Sequence, residues 1–213
     1  MTTTPNFLFN NLLPGLAAWT VLYISDYTLT LTCAKLYRSG VSDKIAFEGS
    51  FELNPNFQAD IDSLRAWSPR FLAALLLSGV WLTIIWWLSW GSQPGLYQFT
   101  LGALILIQLA IHIRHLRNLF LFRVIVSSTA VEGRISYSRQ VVLRMSAVEI
   151  FAFSALYLVL FAFTQSWFVL GGALACLALA LKHLRLGQKY VSGQSISTNP
   201  NNINPQLRES DAK

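Results

Sequence analysis

Charged side chains are scarce in this sequence of 213 residues, at 12% of the chain against 54% for hydrophobic residues. A soluble domain carries roughly 25% charged residues, so a surface of the ordinary water-facing kind is excluded. The apolar residues also form long runs: no charge occurs in 71–90 or 95–111, and Glu149 is the one charge in 145–181. Runs of about 20 residues match the thickness of a bilayer core and predict membrane-spanning helices.

The chain also lacks the signatures of several common kinds of site. Cys33 and Cys176 both lie in apolar runs without a C-x-x-C neighbour, so neither a disulfide nor a thiolate metal site is expected. The N-terminal segment has no positively charged start, and Asn10 and Asn11 interrupt its apolar stretch, so we expect no signal peptide. The net charge is +6, but no aromatic and basic platform lies outside the apolar runs. Nucleic acid is therefore not expected as a partner.

The apolar runs predict an all-α fold, a polytopic membrane helix bundle with five transmembrane helices and a short amphipathic interfacial helix. Ser68-Pro69 is typical of a helix start, and Gly171-Gly172 favours close packing of the last span. We expect one transmembrane domain over 1–190 and a disordered cytoplasmic tail over 191–213. The predicted spans are 13–37, 69–90, 96–121, 139–163 and 167–186.

The connection between the first two spans contains the predicted interfacial helix. Asn54-Pro55 has the composition of a helix start, and Phe57, Ile61 and Leu64 then recur at spacings of four and three. That periodicity places the three apolar side chains on one face, which predicts a helix lying on the membrane surface. A second local expectation concerns residues 122–127, where β-branched residues favour a short extended stretch.

The distribution of basic residues predicts the orientation of the chain. Lys and Arg are absent before the first span and from the turns after the second and fourth spans, whereas both longer loops and the C-terminal tail are basic. By the positive-inside rule, the N-terminus lies outside and the C-terminus in the cytoplasm of a prokaryotic plasma membrane. The same distribution predicts membrane lipids as partners, with anionic head groups at the cytoplasmic surface.

Carboxylates inside the predicted spans need an explanation, because a charge at the bilayer centre costs at least about 2.5 kcal/mol. Asp26 lies near the middle of the first span, with Thr30 one turn further on the same face. Glu149 lies about two turns inside the fourth span. Each acid either forms an interhelical hydrogen bond or ion pair that holds the bundle together, or has a direct functional role.

A polar stripe runs along the third span. Gln108, His112, His115 and Asn118 recur at spacings of four, three and three, which places them on one helix face. Two histidines at i and i+3 can share a metal ion or pass a proton, and they can equally pack against the loops as an interfacial stripe. The H-E-x-x-H pattern of zinc metalloproteases is absent.

The predicted topology brings the polar groups to one side of the membrane. The histidines, Glu149 and the loop with Glu52 and Asn54 lie towards the cytoplasm, and Asp26 lies at the centre or in the inner half of its span. A polar cavity open to the cytoplasm is therefore predicted between the first, third and fourth spans, with the second and fifth as packing helices. Its candidate binding residues are Asp26, Thr30, Glu52, Asn54, Gln108, His112, His115 and Glu149.

The first third of the chain resembles a known group of proteins. Asp26 with Thr28 and Thr30, followed by the segment Glu52-Leu53-Asn54-Pro55, is similar to a signature of small prokaryotic multi-span membrane proteins with an Asp/Thr first helix and an E-x-N-P loop. The resemblance implies a helical membrane fold and supports the choice of these residues. The activity of that family is not established, so the resemblance implies no reaction.

Two classes of function remain open from the sequence. One is a non-enzymatic binding, transport-type or scaffold protein whose cavity centres on Asp26. Five spans are few for a single transporter, so a transport role would require a homo-oligomer. The other is an intramembrane metal-dependent hydrolase, in which His112 and His115 with Glu52 or Asp26 hold a divalent metal and a further carboxylate serves as base.

Overall fold

The structure, a computed structural model, describes residues 7–90, 93–127 and 132–197, with side chains from Leu8 to Tyr190. Two short strands, β1 (Ile45–Phe47) and β2 (Ile135–Tyr137), pair in parallel, and a π-helical turn covers Tyr37–Val41. The α-helices in these ranges are α1 (Phe7–Asn10), α2 (Leu12–Leu36), α3 (Ser42–Lys44), α4 (Gln58–Asp62), α5 (Pro69–Ser89), α6 (Pro94–Ser127), α7 (Arg139–Thr164) and α8 (Trp167–Ser197).

The long helices make this a helical membrane protein. Within the described ranges, α5, α6, α7 and the stretch Trp167–Tyr190 of α8 are long and apolar enough to cross a membrane. The predicted all-α membrane bundle is thus confirmed, with four such helices where five spans were predicted. The remaining predicted span is the first, α2, which has 25 residues and is long enough at about 1.5 Å per residue, but Asp26, Lys35 and several hydroxyl side chains make it more polar.

Serine residues cap α5 and α7, whose starts at residues 69 and 139 agree with the predicted spans. The Ser68 hydroxyl accepts a hydrogen bond from the Phe71 amide at 3.2 Å, and Pro69 occupies the first helical turn of α5. A proline there costs nothing, because its missing N–H would have no partner within the helix. Ser138 caps α7 in the same way, accepting from the Val141 amide at 3.4 Å.

Two helices extend beyond their predicted ends. The predicted extended stretch at 122–127 is wrong, because α6 remains helical to Ser127. Phe122 and Ile125 are buried against Cys33 and Val41, and this packing outweighs the β-propensity of the local sequence. The last helix, α8, continues through 191–197, where a disordered tail was predicted, and 198–213 lie outside the described residues.

The interfacial helix is shorter than predicted and packs against the bundle. It covers only Gln58–Asp62, because Asn54 starts a turn in which the Phe57 amide donates to its carbonyl at 3.1 Å. Ile61 is 1% exposed and packs with Tyr27 of α2 and Phe71 of α5. The apolar face of α4 therefore covers the end of the bundle.

The central helix of the bundle is α6, which packs against α2, α5 and α8. The outer helix α7 packs mainly on α8, where Ser154 donates to the Ala173 carbonyl at 2.8 Å. Direct contact between α6 and α7 is slight, so these two helices leave a groove between them.

Charge is confined to one half of the bundle. Residues 1–25, 71–113 and 150–181 contain no Lys, Arg, Asp or Glu. Among the described residues, every charged side chain consequently lies in the half where α2, α6 and α8 end and where α5 and α7 begin. We call this half of the molecule the charged half, and both pockets described below lie in it.

Candidate functional site

The centre of the site is a contact between Asp26 of α2 and His115 of α6. The Oδ1 atom of Asp26 lies 3.2 Å from Nε2 of His115, and Oγ1 of Thr30 lies 3.3 Å from the same nitrogen. The Thr30 hydroxyl donates to the Asp26 carbonyl at 2.9 Å, so its oxygen faces the imidazole as an acceptor. Because the Thr30 oxygen can only accept from the imidazole, we assign the imidazole proton to Nε2, which leaves Nδ1 as an acceptor.

His112 is bound separately from this contact. Its Nδ1 lies 2.7 Å from the Gln108 carbonyl, which can only accept, and its Nε2 lies 2.6 Å from the Ser25 hydroxyl. Both ring nitrogens therefore have partners, one on α6 and one on α2. His112 joins the two helices rather than lining the pocket beside them.

A pocket of about 230 Å³ lies beside the Asp26–His115 contact, and we call it the α2–α6 pocket. It is lined by α2, α6, α8, the loop before α4, Ile61 of α4 and Phe71 of α5; α7 contributes no lining residue from the described part of the chain. The second and fifth predicted spans, expected only as packing helices, thus contribute to its wall in place of the fourth. Six of the eight predicted binding residues line this pocket: Asp26, Thr30, Glu52, Asn54, Gln108 and His115.

Three of these residues carry a buried acceptor atom without a hydrogen-bond partner among the described residues. The atoms are Oδ1 of Asp26, Oε1 of Gln108 and Nδ1 of His115. The Asp26 oxygen is within ion-pair distance of His115, but the contact does not have the angles of a hydrogen bond. Since buried polar groups are normally paired, three unpaired acceptors around one pocket indicate a place for hydrogen-bond donors.

Glu52 enters the pocket from the loop between β1 and α4. Its Oε1 accepts from the Asn54 amide at 2.6 Å, and its carbonyl accepts from the Gln58 side chain at 3.1 Å. Burial raises the pKa of this carboxyl, and the negative charge of Asp26 adds to the rise, while the Asn54 amide and Arg114 oppose it. The side chain therefore holds a proton to a higher pH than an exposed glutamate does.

Arg114, Ser146 and His183 are polar residues of the site that the sequence analysis missed. The Ser146 hydroxyl of α7 accepts from the Arg114 guanidinium and lies 3.0 Å from Nδ1 of His183. Both Arg114 and His183 line the α2–α6 pocket. A signal for His183 was present: Ala173, Cys176, Ala180 and His183 recur at spacings of three and four, and all four are buried.

The structure places Glu149 apart from Asp26. Its Oε1 accepts from the Arg117 guanidinium at 2.8 Å, and it lines a second pocket, of about 680 Å³, in the groove between α6 and α7. We call this second pocket the α6–α7 groove. Glu52, Leu53, Arg114 and His115 line both pockets and separate them.

The four residues predicted as metal ligands do not come together around one point. His112 faces Ser25, whereas His115 faces Asp26 and Thr30. Among the described residues, no group of three or more His, Cys, Asp and Glu side chains is placed to hold a metal ion. The metal-dependent hydrolase therefore has no geometric support from this arrangement.

No protein-family model, curated protein or solved structure matches the chain.

Proposed function

We propose that the protein is a non-enzymatic membrane protein of the binding or transport type, which takes a small organic cation such as a primary amine into the α2–α6 pocket. The observation that carries this proposal is the set of three unpaired buried acceptors on Asp26, Gln108 and His115. An ammonium group offers three donors on a compact cation. Such a group would donate hydrogen bonds to acceptors of this set and neutralise the carboxylate.

Aromatic rings on one wall of the pocket support a cation as the occupant. Tyr23 and Tyr27 both stack on Phe71, with ring centroids 5.0 and 4.4 Å apart, and all three residues line the pocket. Aromatic faces attract cations, most strongly where water is excluded. With a volume of about 230 Å³, the pocket suits a small amine better than a nucleotide or a peptide.

Glu52 suggests how the positive charge would be balanced. Arg114 already brings one cation to the pocket wall, so a second cation needs more than the charge of Asp26. Because the pKa of Glu52 is raised by burial, an arriving cation would favour release of its proton, and the freed carboxylate would then offset the new charge. Cation binding would thereby be linked to proton release, as a proton-coupled transport role requires; such transport would also involve more than one copy of the chain.

Asp26→Asn is expected to weaken amine binding at least tenfold. The substitution keeps the size of the side chain but removes the charge, and a hydrogen bond to a charged group is worth about 1.5–3 kcal/mol, or about 10- to 100-fold in affinity. The measurement is calorimetric titration of the protein in nanodiscs with methylamine, ethylamine and guanidine.

Glu149→Gln provides the matched control, since Glu149 lines the other pocket and its substitution should change amine affinity less than twofold. The proposal would be abandoned if no small cation binds to the unaltered protein. It would also be abandoned if Asn at position 26 and Gln at position 149 weaken binding equally.

We also propose that the charged half faces the cytoplasm. Asymmetry of basic residues sets the orientation of most membrane proteins, and all basic residues of the described part lie in this half. A cysteine placed at exposed Gln165 should react with a membrane-impermeant maleimide in intact cells, whereas a cysteine at exposed Glu132 should react only after lysis. The native Cys33 and Cys176 are 0% exposed and should give little background. The reverse labelling pattern would invert the orientation.

A further inference from the structure

The α6–α7 groove is an opening on the side of the bundle. Both helices pack on α8 but hardly touch each other, and the pocket of about 680 Å³ lies between them with residues of the 45–53 loop at one end. Sites for whole small molecules have volumes of roughly 300–1,000 Å³, so this groove is large enough for a substantial ligand.

Much of the lining of the groove is apolar. Leu121, Val142, Met145 and Val148 line it, and Met145 and Val148 are 56% and 68% exposed. The walls belong to the two helices α6 and α7, which are apolar enough to cross a membrane. Along these walls the natural neighbour of the exposed side chains is a hydrocarbon chain.

The groove is also lined by charged side chains. Four arginines line it, namely Arg114, Arg117, Arg139 and Arg144, together with the carboxylates Glu48, Glu52 and Glu149. Arg139 is held by backbone carbonyls of the loop and Arg114 by Ser146. Arg117, with a side chain 57% exposed, and exposed Arg144 are the two best placed to meet a ligand.

We infer that the α6–α7 groove binds one anionic phospholipid, with its phosphate between Arg117 and Arg144 and one acyl chain along Met145 and Val148. The juxtaposition of exposed guanidinium groups and exposed apolar side chains in one groove matches an amphiphile that carries a negative head. Because Arg117 also pairs with Glu149, the phosphate would share this arginine rather than find it unpaired. This site is independent of the amine proposed for the α2–α6 pocket.

The test measures lipid binding to delipidated protein in a neutral detergent. Short-chain phosphatidylglycerol is titrated against short-chain phosphatidylcholine, inorganic phosphate and glycerol phosphate, with thermal stabilisation and native mass spectrometry as readouts. We expect phosphatidylglycerol to bind at least tenfold more tightly than the other three ligands. The double substitution Arg117→Gln with Arg144→Gln should lower that affinity at least tenfold.

Two further variants separate a built site from general attraction to a charged surface. Arg185→Gln with Lys189→Gln removes two exposed positive charges of α8 that do not line the groove, and it should change the affinity less than twofold. Val148→Trp fills the apolar wall at an exposed position and should weaken phosphatidylglycerol binding without lowering the melting temperature. Equal losses in the two double variants would overturn the proposal. So would equal binding of inorganic phosphate, which would indicate a site for the free anion, or equal binding of phosphatidylcholine.

Discussion

Gly171→Ala is expected to force α6 and α8 apart and to destabilise the protein by about 3 kcal/mol or more, at the upper end of what overpacking costs. A Cβ atom at position 171 would lie 1.9 Å from the Phe99 carbonyl oxygen. The two helices are equally close at Gly102 of α6, where a Cβ would lie 1.8 Å from the carbonyl oxygen of Phe168 of α8. Both neighbours are backbone atoms, so no change of side-chain rotamer relieves the contact.

The measurement is the melting temperature in detergent, with Gly79→Ala as the matched control. Gly79 also lies within a long helix, but a Cβ there meets only Cδ1 of Leu16, at 3.4 Å. Alanine favours a helix over glycine by up to about 1 kcal/mol, so the control should be neutral or slightly stabilising. Similar melting temperatures for the two variants would show that α6 and α8 are not in backbone contact.

The same substitution should also affect the α2–α6 pocket. Leu179 and His183, two and three turns further along α8, line the pocket, and a helix displaced at Gly171 carries them away from α6. We therefore expect Gly171→Ala to weaken amine binding even in the fraction that stays folded, whereas Gly79→Ala leaves it unchanged.

Much of the fold could be predicted from sequence because it follows from solvent and from local chemistry. Lipid demands long apolar helices, and the helix starts at Pro69 and Arg139 follow from serine caps that need only neighbouring residues. The grouping of Asp26 with His115 could also be predicted from the sequence. Polar residues confined to one half of a bundle have few partners other than one another, so helix periodicity and topology together restrict the arrangement.

The remaining features depend on contacts between distant parts of the chain. The third span was predicted to end at residue 121, yet α6 continues to Ser127 because Phe122 and Ile125 are buried against residues near the end of α2. The metal hypothesis paired His112 with His115 by spacing alone. In the structure they face different residues of α2, and only side-chain geometry reveals that difference.

The role of Arg139 was not predicted from the sequence, in which it was only the first residue of a span. Its guanidinium is buried and donates to three backbone carbonyls of the loop, those of Ser50, Glu52 and Leu53. Its backbone amide donates to Oε2 of Glu48 at 3.0 Å. Every residue has a backbone carbonyl, so neither composition nor spacing identifies the ones that accept from Arg139. The contacts fasten the segment that presents Glu52 and Asn54 to the α2–α6 pocket.

Arg139→Met is accordingly expected to release this loop and to destabilise the protein by about 3 kcal/mol, as expected when one partner of a buried charged network is removed. Methionine keeps the length of the apolar stem but removes the guanidinium donor from the Ser50 and Leu53 carbonyls and leaves the Glu52 carbonyl with Gln58 alone. Lysine keeps the charge, but one ammonium group cannot reproduce the planar fork that spans several acceptors. The lysine variant should therefore recover less than half of the lost stability.

Hydrogen exchange localises the effect of Arg139. The amides of 48–54 should lose protection in both variants, and amine affinity should fall with them because Glu52 and Asn54 are no longer held in place. Arg144→Met is the matched control, since Arg144 lies on the same helix, is exposed, and lines the groove rather than the α2–α6 pocket. If the loop amides stay protected in Arg139→Met, the guanidinium does not hold the loop, and the position of Glu52 must depend on its own contacts with Asn54 and Gln58.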